Sequence, residues 1–195
     1  MISSSHNGPR SGYRPGSPLD DRSGSIGVAG PGSRLALFLS TGLGVGYGPV
    51  MPGTYGSALG VGLYLALAHI AFPLPHRRML LALVAAVFAL FSIWVVSIAL
   101  RGFTVKDPQE IVLDEVAGQL VTLVPLPLAY ASSRPHWLAV LAGFLLFRIF
   151  DALKPYPIWK FERLPGAWGV VVDDLAAGLL AAVVLVALNW LGWKM

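Results

Sequence analysis

The chain has no cysteine among its 195 residues. This excludes disulfides, thiolate metal sites and every mechanism that uses a cysteine nucleophile. Charge is also scarce. Asp, Glu, Lys and Arg together make up 12% of the residues, about half the roughly 25% usual in soluble domains. Apolar residues make up 55%, and the mean hydropathy is +0.68. A soluble domain with so little charge could not cover its own surface, so the deficit points to lipid. Residues 1–33 contain no apolar segment of the kind a cleavable signal needs. They are rich in Gly, Pro, Ser and Arg and read as a disordered N-terminal tail. No Gly-x-x-x-x-Gly-Lys-Ser/Thr loop is present. No Asp-x-Asp follows a strand-like run, which argues against aspartyl-phosphate chemistry.

The remaining residues, 34–195, read as one membrane-embedded domain, since this length suits one domain better than two. A helix needs about 20 apolar residues to cross a hydrocarbon core of about 30 Å. Candidate spans are Gly56 to Phe72, Met79 to Leu100, Ile111 to Leu128, Trp137 to Leu153 and Val170 to Leu191. Leu35 to Tyr47 is apolar but glycine-rich, and reads as a short interfacial or re-entrant helix. Breakers fall between the runs at Pro73-Leu74-Pro75, at Pro125 and Pro127, and at Lys154-Pro155-Tyr156-Pro157. Gly56-x-x-x-Gly60 would admit a closely packed second helix, or reflects chance in a glycine-rich chain. The expected fold is an all-α polytopic bundle of four to five spans.

The net charge of +4 and a pI of about 9.6 suggest a basic side meeting anionic lipid, and not nucleic acid. With a cytoplasmic N-terminus and alternating spans, Arg101, Lys106, Arg148, Lys154, Lys160 and Arg163 join the arginines of the tail inside. Only Arg77, Arg78, Arg134 and Lys194 fall outside, as the positive-inside rule favours. In this topology Thr54, Ser57, Asp114, Glu115, Arg148, Asp151, Lys154, Asp173 and Asp174 share the cytoplasmic face. His69, His76 and His136 fall toward the opposite face and His6 lies in the tail, which argues against a histidine nucleophile. A charge at the bilayer centre costs about 2.5–3.5 kcal/mol, so seven there would cost roughly 20 kcal/mol. Gathering them at one interface is cheaper.

Each group also has a plain structural reading. The helix dipole favours acids at an N-terminus, which covers Asp114, Glu115, Asp173 and Asp174, and it favours Lys154 at a C-terminus. Thr54 or Ser57 would serve as a simple N-cap. Arg148 can snorkel or pair with Asp151 three residues on. Asp151 is harder to place, because it is an acid near a helix C-terminus. Arg148 and Lys154, a metal, or both must hold it. Taken together, the carboxylates suit Mg²⁺, which prefers oxygen ligands. Such a metal offsets phosphate charge and lowers the pKa of a bound water. Arg148 can grip phosphate as a fork, with Lys154 or Lys160 as point charges. The glycine-rich helix start at Gly53 could cradle an anion through its N–H groups. With the other phosphatase chemistries set aside, attack by a metal-activated water remains. A short internal echo pairs Asp114-Glu115-Val116-Ala117-Gly118 with Asp174-Leu175-Ala176-Ala177-Gly178.

These residues carry a family resemblance. The matching stretches are Gly-Leu-Gly from Gly42, Pro52-Gly53-Thr54-Tyr55-Gly56-Ser57, Asp107 to Gly118 (DPQEIVLDEVAG), Gly143 to Pro157 (GFLLFRIFDALKPYP) and Gly169 to Gly178 (GVVVDDLAAG). In order and spacing the chain resembles the phosphatidylglycerophosphatase A family of bacterial membrane lipid phosphatases. The resemblance implies a Mg²⁺-dependent phosphoric monoester hydrolase of phospholipid biosynthesis, multi-pass in the bacterial inner membrane. It would take the terminal phosphate from phosphatidylglycerophosphate and leave phosphatidylglycerol. The family's acidic and basic positions fall on Asp114, Glu115, Arg148, Asp151, Lys154, Asp173 and Asp174. The resemblance thus implies Asp114, Glu115, Asp151, Asp173 and Asp174 as catalytic and metal-holding, with Thr54, Ser57, Arg148 and Lys154 on the phosphate. Gly166-Ala167 stands where the family usually has Gly-Gly, and the tail lies outside the family's core. Two alternatives stay in view. A small transporter or channel would spread its charges along a pathway. A CDP-lipid phosphotransferase would carry an Asp-Gly-x-x-Ala-Arg stretch, which is absent.

Overall fold

A computed structural model describes residues 31–71, 76–103, 105, 107–126 and 137–191. The tail up to residue 30, Pro73-Leu74-Pro75, Lys106, Pro127, Arg134, His136 and Lys194 lie outside the described residues. Within them the chain is helical and has no strand: α1 (Pro31–Ser40), α2 (Pro52–Ala71), α3 (Arg77–Ala99), α4 (Leu113–Leu123), α5 (Trp137–Leu153), α6 (Ile158–Phe161) and α7 (Ala167–Trp190). Two of these segments are long and apolar enough to cross a membrane, Arg77–Gly102 and Ala167–Trp190.

The run 35–47 divides. α1 ends at Ser40, and Gly42, Leu43 and Gly44 all take positive φ, which turns the chain into a single 3-10 turn, Val45–Tyr47. The run 111–128 gives a helix shorter than its apolar stretch. α4 has 11 residues, about 16 Å at 1.5 Å per residue, half the hydrocarbon thickness. Its apolarity reflects burial by protein. Leu113, Val116, Ala117, Gly118, Leu120 and Leu123 are all buried, and α4 packs most extensively on α7 and α2. The Val112 N–H donates to Ser40 O at 2.9 Å, joining the end of α1 to the start of α4.

Glycines set the helix approaches. Gly56 and Gly60 face α4 so closely that a Cβ on Gly56 would lie 2.8 Å from Val112 Cβ, and one on Gly60 2.7 Å from Gln119 Cβ. The Gly-x-x-x-Gly pair is therefore a packing seam. α4 and α7 cross at Gly118 and Gly178. A Cβ on Gly178 would strike the Gly118 carbonyl, and one on Gly118 would lie 2.6 Å from both Asp174 O and a Phe147 ring carbon. The Thr122 hydroxyl lies 3.0 Å from Gly118 O and 3.2 Å from Gly178 O, spanning the crossing.

The helices alternate in direction, so the starts of α2, α4 and α7 meet the ends of α3 and α5. The Ser92 hydroxyl sits 3.3 Å from Leu113 O. At the far end Leu81, Leu120, Leu123 and Leu185 share one core cluster. Leu83, Val87, Leu90 and Trp94 lie on one face of α3 and are each more than half exposed. Leu138, Leu141 and Leu145 form a like exposed face on α5, while Asp114, Asp173 and Asp174 are buried. The molecule is apolar outside and polar within at one end.

Candidate active site

The site forms where three helix starts and one helix end converge. Asp114 and Glu115 open α4, and Asp174 lies early in α7. Because α4 and α7 cross at glycines four residues beyond Asp114 and Asp174, the two acids arrive together. One carboxylate oxygen from each of Asp114, Glu115 and Asp174 lies within 4.8 Å of the others. The internal echo is thus two Asp-x-x-x-Gly turns packed against each other. Asp114 and Glu115 lie in the first turn of α4 as expected, but α7 begins at Ala167, which puts Asp173 and Asp174 about two turns inside it, so the helix-start reading of that pair does not hold. Asp114 Oδ1 accepts from the Glu115 N–H at 3.1 Å, and Asp173 Oδ1 accepts from the Asp174 N–H at 3.0 Å.

The remaining charges form ion pairs around this trio. Arg148 donates to Asp151 Oδ2 at 2.7 Å, one turn along α5, and lies 3.4 Å from the Ser57 hydroxyl. Ser57 itself donates back to Gly53 O at 2.8 Å. α2 begins at Pro52, so Ser57 is its sixth residue and does not cap it, contrary to the N-cap reading; its hydroxyl lies against the guanidinium instead. Gly53 leaves room for the contact, since a Cβ there would meet Glu115 Oε1 and lie 3.0 and 3.2 Å from the Arg148 terminal nitrogens. Among the described residues no hydrogen bond ties the Thr54 hydroxyl to the cluster; Thr54 is half-buried in the first turn of α2.

Lys154 follows the end of α5 with φ +41, a left-handed conformation that costs a non-glycine residue about 1–3 kcal/mol. This turn delivers its ammonium to Asp173 Oδ2 at 2.7 Å, with Glu162 at 3.7 Å. Burial disfavours its charge, but the hydrogen bond and charge of Asp173 outweigh burial, and the Lys154 pKa ends above its ordinary value. Asp151 is therefore held by Arg148 and Asp173 by Lys154, while Asp114, Glu115 and Asp174 face one another. His69 and Arg78 sit at the far end, in the last turn of α2 and the first of α3.

With Glu162 at the rim, six carboxylates face two cations here. Glu115 Oε2 is buried without a hydrogen-bond partner. An acceptor-only oxygen in that state needs a cation or a donor. An all-oxygen donor set with such an orphan fits Mg²⁺.

Two features were not foreseen. The Gln119 amide, one turn beyond Glu115, is fully buried with neither polar atom partnered. Its i, i+4 spacing from Glu115 placed it on the same helix face. Glu162 reaches Lys154 around the proline corner after α5, and no spacing rule links them. Ala167, the departure from Gly-Gly, buries its methyl among Val96, Ile111, Val170 and Val171. Gly166 before it keeps the positive φ of +58 at which α7 begins.

A helical bundle with exposed apolar faces and acids and bases paired at one end defines a class of helical proteins whose site has the charges to hold a cation and an anion together. Comparison with known proteins makes this specific. Residues 38–189 match the family model described as Phosphatidylglycerophosphatase A, and the chain belongs to that family. It is 32% identical to Phosphatidylglycerophosphatase A of Escherichia coli over 75% of this chain and 79% of that one. It is 33% identical to the protein of the same name from Haemophilus influenzae, over 78% of this chain and 87% of the other. It is also 34% identical to a Bacteroides thetaiotaomicron protein named "Putative phosphatidylinositol-3-phosphatase", over 81% and 96%. No solved structure matches.

Proposed function

We propose that this protein hydrolyses phosphatidylglycerophosphate to phosphatidylglycerol and inorganic phosphate. In this reading it is a multi-pass protein of the bacterial inner membrane with its site on the cytoplasmic side. The observation that carries the reading is the coincidence of two boundaries: the family match over 38–189 encloses every member of the acidic and basic cluster. α2, α3, α5 and α7 cross the bilayer, and the chain leaves the site face in α4, packed among them.

Asp114, Glu115 and Asp174 would hold Mg²⁺, with Asp151 and Asp173 behind them. The ion would neutralise phosphate charge and lower the pKa of the attacking water. The protein supplies the rest. Arg148, oriented by Asp151 and Ser57, grips the phosphate through its remaining N–H groups. Lys154, held by Asp173, adds a fixed positive charge beside it. Water attacks phosphorus in line and gives a proton to a carboxylate of the cluster. The bond from phosphorus to the glycerol oxygen breaks, and that oxygen leaves as a hydroxyl after taking a proton. Thr54, in the first turn of α2, would contact the phosphate only once substrate is bound.

The purified full-length protein should release phosphate from phosphatidylglycerophosphate with Mg²⁺ and stop on adding EDTA. No release under these conditions would overturn the reading. The name of the Bacteroides relative warrants a second substrate, phosphatidylinositol 3-phosphate, in the same assay. Faster turnover of that lipid would move the headgroup assignment and leave the phosphatase chemistry in place. Flux of ions across proteoliposomes without hydrolysis would favour the transporter alternative.

A further inference from the structure

An apolar groove of about 660 Å³ runs beside the site, walled by Leu59, Gly62 and Leu63 of α2 and by Phe88 and Phe91 of α3. Its floor is Leu113 and Val116 of α4. Those two residues flank Asp114 and Glu115 in the chain, so the groove and the acidic cluster share the first turn of α4. Two other apolar pockets lie against Val124 and Pro125 at the far end, away from that first turn.

Gly62 supplies a second, independent observation. Glycine inside a helix is unfavourable relative to alanine, so it calls for a reason. Gly56 and Gly60 have one, because α4 lies against them, whereas a Cβ on Gly62 would meet nothing within 4 Å. No packing contact requires a bare backbone there. What a bare backbone does at Gly62 is keep the groove wall open.

We propose that this groove seats one acyl chain of the lipid whose phosphate reacts at Asp114, Glu115 and Asp174. The proposal rests on the phosphatase reading and deepens it. Lipid tails are as apolar as the groove, so seating a chain gains little affinity. It gains orientation, since a chain clamped between α2 and α3 points its headgroup at the start of α4.

The test fills the groove without touching the site. Gly62→Leu and Gly62→Trp project a side chain into open space, so the fold tolerates them, and Gly62→Ala serves as the small control. Each is assayed in detergent micelles on long-chain phosphatidylglycerophosphate and on a short-chain, water-soluble analogue with the same headgroup. On the long-chain lipid kcat/KM should fall about tenfold or more in Gly62→Trp, with Gly62→Leu between it and wild type. On the short-chain analogue the variants should match wild type. An unchanged ratio between the two substrates, or an equal loss on both, would overturn the groove assignment while leaving the phosphatase reading intact. A shift in oligomeric mass without a change in that ratio would also overturn it and assign the groove to a second copy. Wild type that releases phosphate from neither substrate would overturn both readings.

Discussion

Asp151 sits in the last turn of α5, where the helix dipole disfavours an acid, and Arg148 one turn back holds it at 2.7 Å. Asp151→Asn removes the charge that orients the guanidinium, and Asp173→Asn does the same for Lys154. Each should lower turnover on the order of 100-fold while the protein still inserts in the membrane. Phosphate release, compared with yield in the membrane fraction, checks this, and full activity in either variant would break the assignment. Gly53→Ala acts from the opposite side of the same pocket. Its methyl takes the space of Glu115 Oε1 and crowds Arg148. Both neighbours are flexible side-chain ends, so thermal stability should hold while kcat falls roughly 10- to 100-fold. Lys154 carries the protonation prediction. Its folded pKa is raised, so its contribution to stability is present below the ordinary lysine value and is lost only as pH rises through the folded one. At about pH 9 its amine therefore stays protonated and poorly nucleophilic. Acetic anhydride should modify exposed Lys160 well before Lys154, as peptide mass spectrometry would read, and Asp173→Asn should remove the protection.

Along α2, two glycines two residues apart make opposite predictions. Gly60→Ala drives a methyl to 2.7 Å from Gln119 Cβ and should destabilise by about 1–3 kcal/mol. Gly62→Ala meets open space and should be neutral or stabilising by up to about 1 kcal/mol. Unfolding temperatures in detergent separate them. The Gly-x-x-x-Gly spacing was visible in the sequence, but which glycines touch a neighbour was not, because that depends on the side of α2 that α4 occupies. The apolar runs located the outer helices closely, α5 over Trp137–Leu153 to the residue and α7 starting three residues before its run. They overestimated α4, since a helix buried in protein on all sides is as apolar as one in lipid. One-sided placement of charge brought the seven charged residues to one end. Their division into a carboxylate trio and two ion pairs was not legible. It depends on the crossing at Gly118 and Gly178 and on the left-handed turn at Lys154, and neither is written in charge spacing. The Asp-x-x-x-Gly echo was visible as a pattern, but its meaning required the crossing.

For the whole molecule, the arrangement is an inside-out polarity. Apolar faces of α3, α5 and α7 point outward, and nearly all buried charge sits at one end. Lys154, Lys160, Arg163 and Arg101 crowd that end, while the opposite end carries Arg77 and Arg78. Basic residues near helix ends stay on the cytoplasmic side during insertion, so the site end should face inward despite the Arg77-Arg78 exception. The absence of cysteine makes this directly measurable, since any thiol introduced is the sole one in the chain. Leu164→Cys places an exposed thiol at the site end, between α6 and α7, and Arg78→Cys places one at the far end. A membrane-impermeant maleimide added to intact spheroplasts should label Arg78→Cys and spare Leu164→Cys until the membrane is permeabilised. The reverse pattern would place the phosphate site outside, where the charge distribution would oppose insertion and substrate would have to reach the outer leaflet. Labelling of both positions in intact cells would contradict a bundle that separates its two ends across a bilayer, and with it the reading of the exposed apolar faces as lipid contacts.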